Sequence, residues 1–262
     1  MRTVTSTATD VHHVVEGPPD APPLVLLNSL GSSLAMWEPQ MDALAARFRV
    51  IRLDSRGHGT SPVPPGPYSL ADFGGDVIAL LDRLGLARAH VTGLSLGGMT
   101  AMWLAINAPE RVDRLVLCCT SARVAAPEVY RERATKVRAE GTASIAPAVV
   151  SRWLTPEFAE HEPALVARLE AMVAATPDDG YASSCTAIAE MDLEDELAAI
   201  SAPTLVIAGA EDLALPPDHG ARIAARIPGT RMTVVPQAAH LGNLEQPAEF
   251  TELIEGHLAA GS

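Results

Sequence analysis

The sequence is short of cysteine, short of positive charge and free of long apolar runs, and each shortage closes off a class of function. Cys118, Cys119 and Cys185 are the only cysteines in 262 residues. An odd number without zinc-like spacing builds neither a disulfide framework nor a metal knuckle. Cys118 and Cys119 sit together in an apolar run, where thiols act as small hydrophobes, so a reducing compartment is expected. Residues 1–10 lack the apolar core of a secretory signal. No stretch approaches about 18 consecutive apolar residues. The expected setting is the cytoplasm, with no membrane span. Lysine and arginine total 19 against 32 aspartates and glutamates, a net charge of −13. A nucleic-acid partner wants a basic face, which this balance does not offer. It still permits an anionic small molecule held by one local cation. Lys136 is the only lysine, and nothing in the sequence explains that bias.

Apolar material, by contrast, is ample: 48% of residues are hydrophobic and the mean hydropathy is +0.16. Such a chain folds on its own core and is not disordered. Its length fits one or two domains. Short runs rich in Val, Ile and Leu at 24–27, 50–53, 90–92, 115–119, 204–208 and 232–235 read as strands. Their unbroken apolar character predicts a mostly parallel sheet covered on both faces. Amphipathic stretches at 41–48, 69–84, 98–107, 219–227 and 247–258 alternate with them, the pattern of an α/β fold. Residues 11–16 read as an antiparallel edge strand. From 125 to 199 the strand signals stop, and helices are predicted at 129–140, 145–153, 163–175 and 183–190, with turns at Gly141, Pro156 and 177–180. The expected organisation is a core of residues 1–124 and 200–262, interrupted by a helical lid over 125–199.

The strongest local signal is Gly93-Leu94-Ser95-Leu96-Gly97. It directly follows one predicted strand and opens a predicted helix, the context in which G-x-S-x-G raises a serine oxygen above a sheet edge. A serine nucleophile needs a base. Of eight histidines, His12, His13, His161, His219 and His257 have ordinary places on strands and helices. His58 lies in a loop that could edge a pocket. His240 follows the last predicted strand, where the chain order Ser, acid, His puts the base. The orienting acid belongs after the strand at 204–208, which offers Asp212, with Glu211 and Asp218 as rivals. Oxyanion donors are expected from the Leu96 amide and from the loop after residue 27, where the Leu30 amide is the candidate.

With these pieces placed, the chain resembles the 3-oxoadipate enol-lactonases of the α/β-hydrolase superfamily over nearly its whole length. The resemblance is carried by Asn28-Ser29-Leu30-Gly31 with Trp37 nine residues after Asn28, by Asp54-Ser55-Arg56-Gly57-His58-Gly59, and by the serine motif continued through Gly98-Met99. Met191-Asp192-Leu193 and His240-Leu241-Gly242-Asn243-Leu244-Glu245-Gln246-Pro247 add to it, as do Val137-Arg138-Ala139-Glu140-Gly141 and Arg152-Trp153-Leu154-Thr155-Pro156. It implies ring opening of an enol-lactone by Ser95, His240 and Asp212, without metal or organic cofactor. Tyr130 stands where relatives often have Trp. Some relatives continue into a fused decarboxylase, which is not expected here because the sequence stops at Ser262. The implied substrate carries a free carboxylate, for which Arg133, Lys136, Arg138 and Arg152 are available. Arg133 is the first candidate, with Tyr130 and Trp153 beside it. Rival readings are a carboxylesterase, C–C hydrolase or perhydrolase on the same scaffold, or a ligand receptor without turnover.

Overall fold

The computed structural model describes residues 8–259, so residues 1–7 and 260–262 of the expected core lie outside the described residues. The chain runs β1 (His13–Glu16), β2 (Pro23–Leu27), α1 (Met41–Arg47), β3 (Arg49–Leu53), α2 (Leu70–Arg83), β4 (Ala89–Leu94), α3 (Leu96–Asn107) and β5 (Val112–Cys118). Five helices follow, α4 (Pro127–Glu140), α5 (Ala146–Val150), α6 (Pro156–His161), α7 (Pro163–Ala174) and α8 (Asp178–Glu190). The sheet then resumes with β6 (Thr204–Gly209), α9 (Pro217–Arg226), β7 (Arg231–Val235), α10 (Gly242–Glu245) and α11 (Pro247–Ala259).

The seven strands form one sheet in the order β1-β3-β2-β4-β5-β6-β7. Only β1 is antiparallel, against β3; every other pairing is parallel. This is the α/β-hydrolase architecture predicted above. β4 and β6 are buried along their whole length, because helices cover both faces and leave no solvent side to call for polar alternation. β7 is an edge and keeps exposed positions, among them Val234.

From β2 the chain steps to β3 on one side and to β4 on the other. Connections that diverge in this way open a crevice at the carboxyl ends of the two strands, the usual ligand site of an open α/β sheet. The loops after β2, β4, β5, β6 and β7 all emerge on that edge. The helices α4 to α8 occupy the single long connection between β5 and β6, and α4 packs against α8.

Two predicted turns are helix starts instead. Pro156 is the first residue of α6, whose Phe158 amide is capped by the Thr155 side chain at 3.3 Å. Proline fits there because the first helical N–H has no partner to lose. Residues 178–180 open α8, with Asp178 and Asp179 in its first turn, where acidic side chains face the positive end of the helix dipole. Among the described residues no helix is long and apolar enough to cross a membrane.

Candidate active site

Ser95 stands between β4 and α3 with φ 57° and ψ −117°. A residue with a Cβ is disfavoured there by about 1–3 kcal/mol, so the surroundings must hold it in place. Its amide donates to the Cys118 carbonyl at 3.0 Å, and its carbonyl accepts from the Met99 amide at 3.0 Å and from Thr120 Oγ1 at 2.7 Å. The turn also closes too tightly for neighbouring side chains: a Cβ on Gly97 would lie 2.2 Å from the Leu27 carbonyl oxygen. Gly97→Ala is therefore expected to cost at least about 1–3 kcal/mol of stability through overpacking. A lowered urea midpoint at unchanged m-value would show it.

His240 follows β7, and its Nδ1 lies 2.8 Å from Asp212 Oδ2. Both residues are buried, at 3% and 2% exposure. The other carboxylate oxygen of Asp212 accepts the amides of Ala214 at 2.8 Å and Leu215 at 2.9 Å. With both oxygens engaged, Asp212 has one orientation and one use for Oδ2. The acceptor at Nδ1 places the proton on that nitrogen and leaves Nε2 with its lone pair. The rival acids Glu211 and Asp218 are exposed, and Asp218 pairs with Arg222 at 3.4 Å.

Ser29, Leu30, Ser95 and His240 line one cavity of about 190 Å³. Its opposite wall comes from the long β5–β6 connection, including Tyr130, Arg133, Val149, Arg152, Trp153 and Tyr181. Neither the Leu30 nor the Leu96 amide donates to a protein acceptor among the described residues. Both are backbone donors at the crevice edge, where a developing oxyanion would be held. The loop carrying Leu30 is fixed by Asn28, whose amide donates to the Leu53 carbonyl at 2.6 Å and whose Oδ1 accepts the Trp37 indole N–H at 3.1 Å.

Of the four basic candidates, Arg133 and Arg152 reach the cavity, and neither forms an ion pair among the described residues. Arg133 lies over the Tyr130 ring at 5.3 Å, a cation–π arrangement. Arg152 donates to the Leu213 carbonyl. Lys136 is exposed and paired with Glu140 at 2.7 Å, and Arg138 is exposed. Those two are outward-facing helix charges.

His58 does not edge this cavity. It is buried, with Nδ1 3.1 Å from the Arg56 carbonyl, and burial pushes its pKa down. His12 bonds Asp54 at 3.2 Å and His257 the Pro203 carbonyl at 3.0 Å. His219 departs from its expected place as an ordinary helix residue, because it lines the cavity with Nδ1 on Ser121 Oγ at 2.7 Å.

Sequence reasoning also missed Tyr181 and Glu245. Tyr181 lines the cavity, and its buried hydroxyl lies against the Arg133 guanidinium. Burial, the largest influence, pushes its pKa up, so it stays a neutral donor. Glu245 ties the two walls together. One carboxylate oxygen accepts the Thr155 amide and hydroxyl at 2.7 and 2.8 Å, and the other accepts the Ala239 amide at 2.5 Å, one residue before His240. A glutamate five residues after a histidine carries no signal for this in sequence; it emerges only when Thr155 is brought 90 positions back in the chain.

Comparison with known proteins follows the same outline. A family model described as the alpha/beta hydrolase fold matches residues 22–247. The chain is 40% identical over 253 residues to 3-oxoadipate enol-lactonase 2 of Acinetobacter baylyi, covering 96% of this chain and 94% of that protein. The crystal structure of the enol-lactonase from Burkholderia xenovorans superposes with TM-score 0.94 at 43% identity, covering 96% and 97% of the two chains. A hydrolase structure from Pseudomonas aeruginosa gives TM-score 0.93, also at 43% identity, covering 99% and 97%.

Proposed function

Because this chain belongs to the α/β-hydrolase family, we propose that it uses the cavity to hydrolyse 3-oxoadipate enol-lactone to 3-oxoadipate. Similarity to enol-lactonases along nearly the whole chain supports the reaction. The observation that carries the substrate class is Arg133, a guanidinium without a carboxylate partner inside the cavity of a protein with net charge −13. A small lactone with a free carboxylate supplies the missing anion. Tyr181, whose hydroxyl lies against Arg133, stands by as a second donor, and Trp153 and Tyr130 give the apolar wall.

In this reading Ser95 Oγ gives its proton to His240 Nε2 and attacks the lactone carbonyl. The Leu30 and Leu96 amides hold the oxyanion. Collapse breaks the ring C–O bond. The departing oxygen belongs to an enol, a better leaving group than an alkoxide, and takes the proton from His240. Since a ring has opened, the whole substrate stays attached to Ser95 as an ester. Water deprotonated by His240 then releases the acid and restores Ser95. Asp212 keeps the His240 proton on Nδ1 and stabilises the imidazolium. Residues 125–199 act as the lid that excludes bulk water while this happens. The cysteines are buried and unpaired, which suits a reducing cytoplasm.

The test is kcat/KM for the anionic enol-lactone beside neutral p-nitrophenyl esters. A preference for the lactone is expected, and a preference for neutral esters overturns the substrate assignment. Arg133→Leu should raise KM for the lactone about 10- to 100-fold, the loss of charge-assisted hydrogen bonds. Because that contact is remote from the reacting carbonyl, kcat should fall less.

A further inference from the structure

A second histidine in the cavity is held in a defined tautomer. His219 is the third residue of α9, 8% exposed, and its Nδ1 lies 2.7 Å from Ser121 Oγ. Ser121 follows β5 and has two further partners: its Oγ lies 2.5 Å from the Arg123 carbonyl oxygen and accepts the Arg123 amide at 3.1 Å. Two oxygens at that separation must share a hydrogen, and a carbonyl has none to give. The single hydroxyl hydrogen of Ser121 therefore points at Arg123. What remains for His219 is a lone pair on Ser121, so Nδ1 carries the imidazole proton and Nε2 is a free acceptor. His240 is set in the same way by Asp212. Two imidazoles with basic Nε2 atoms thus line one cavity.

Ring opening as derived above uses only one of them. It leaves an enol, and conversion to the ketone requires the enol hydroxyl proton to leave oxygen and a proton to arrive on the adjacent carbon. We propose that His219 is a second acid–base residue of this site, carrying the enol hydroxyl proton through Nε2 to that carbon. The O–H bond breaks as Nε2–H forms; the C=C pair then takes that proton to make C–H while the oxygen becomes a ketone. Charge and atoms balance without any co-reactant. Burial and then Arg222 hold the His219 pKa below its usual value, against Asp218, Asp212 and Glu194, which keeps a neutral base available near neutral pH.

The proposal rests on the lactonase reading, and its test separates the two. Ring opening is followed in D₂O by loss of enol-lactone absorbance, and the configuration of deuterium at the newly protonated carbon beside the ketone is read in the product before solvent exchange. Lactone opened chemically by base gives both configurations and serves as the reference. The wild type is expected to give one configuration in excess, and His219→Gln, which cannot carry a proton, to lose that excess. Ser121→Ala frees the tautomer without touching the imidazole and should lose it too. The readout is made per molecule of product, so a slower variant still reports. An equal mixture from the wild type overturns the proposal while leaving ring opening intact, as does an excess retained by either variant. Absence of ring opening by the wild type overturns the lactonase reading and this inference with it.

Discussion

Ser95→Ala is expected to lower kcat for the enol-lactone by roughly 10⁵–10⁶-fold, the scale seen when a serine hydrolase loses its nucleophile. Alanine keeps the Cβ at a position where φ is already 57°, so the backbone strain is unchanged and the turn survives. The backbone bonds that hold position 95, to Cys118, Met99 and Thr120, involve no serine hydroxyl. What disappears is the Oγ alone. Donor amides and cavity remain, and such remnants give about 10³–10⁴-fold over the uncatalysed reaction. An unchanged far-UV spectrum and melting transition alongside the lost turnover would assign the loss to chemistry.

Asp212→Asn should cost about 10⁴-fold in kcat, for a reason visible in its bonds. Asp212 Oδ1 accepts two backbone amides, from Ala214 and Leu215. Asparagine can satisfy both only by placing its carbonyl oxygen there. Its NH₂ group then faces His240 Nδ1 where a carboxylate oxygen stood at 2.8 Å. Two donors cannot face each other, so His240 moves its proton to Nε2 and loses the lone pair that the proposed mechanism uses to deprotonate Ser95. Kinetics measured upward from neutral pH would expose this, because deprotonating the serine without a base becomes easier as hydroxide rises. A variant within tenfold of wild type would mean that Asp212 does not set the tautomer.

How much of this was legible in the sequence depends on whether a residue's place is set locally. The strand-to-helix turn at Ser95 is, because strand, close-packed glycines and helix lie within a dozen residues of one another. The contact between Asp212 and His240 follows from their places after neighbouring strands β6 and β7. The cations in 125–199 were not resolvable in the same way. α4 turns Tyr130 and Arg133 into a cavity and Ala134 and Val137 into the core, so its inward side is itself partly polar. Hydrophobic period alone therefore cannot distinguish Arg133 from Lys136 or Arg138. His219 reads as a surface helix residue until Ser121, 98 positions earlier, is brought against it by β5 and β6 lying side by side. Tyr181 lay just past an expected turn that the structure makes a helix start. The expected turns at 156 and 177–180 are helix starts for one reason: proline ends helices and also begins them, and only the neighbouring cap decides which.

The acidic balance of the chain also takes on a local meaning. A net charge of −13 repels an anionic substrate at a distance, but exposed charges are screened within about 10 Å at ordinary salt. Arg133 and Arg152 line the cavity wall, so an anion in the cavity would lie inside that distance of them.

The most direct test of Ser95 attack on a lactone is an acid-quenched time course of wild type and Ser95→Ala mixed with enol-lactone, reading intact protein mass and ring-opened product in the same samples. The mechanism requires product from the wild type, any trapped adduct to have the mass of the whole substrate and to map to Ser95, and from the variant no adduct at position 95 and product slower by roughly 10⁵–10⁶-fold. Ring opening by Ser95→Ala at the wild-type rate would contradict it.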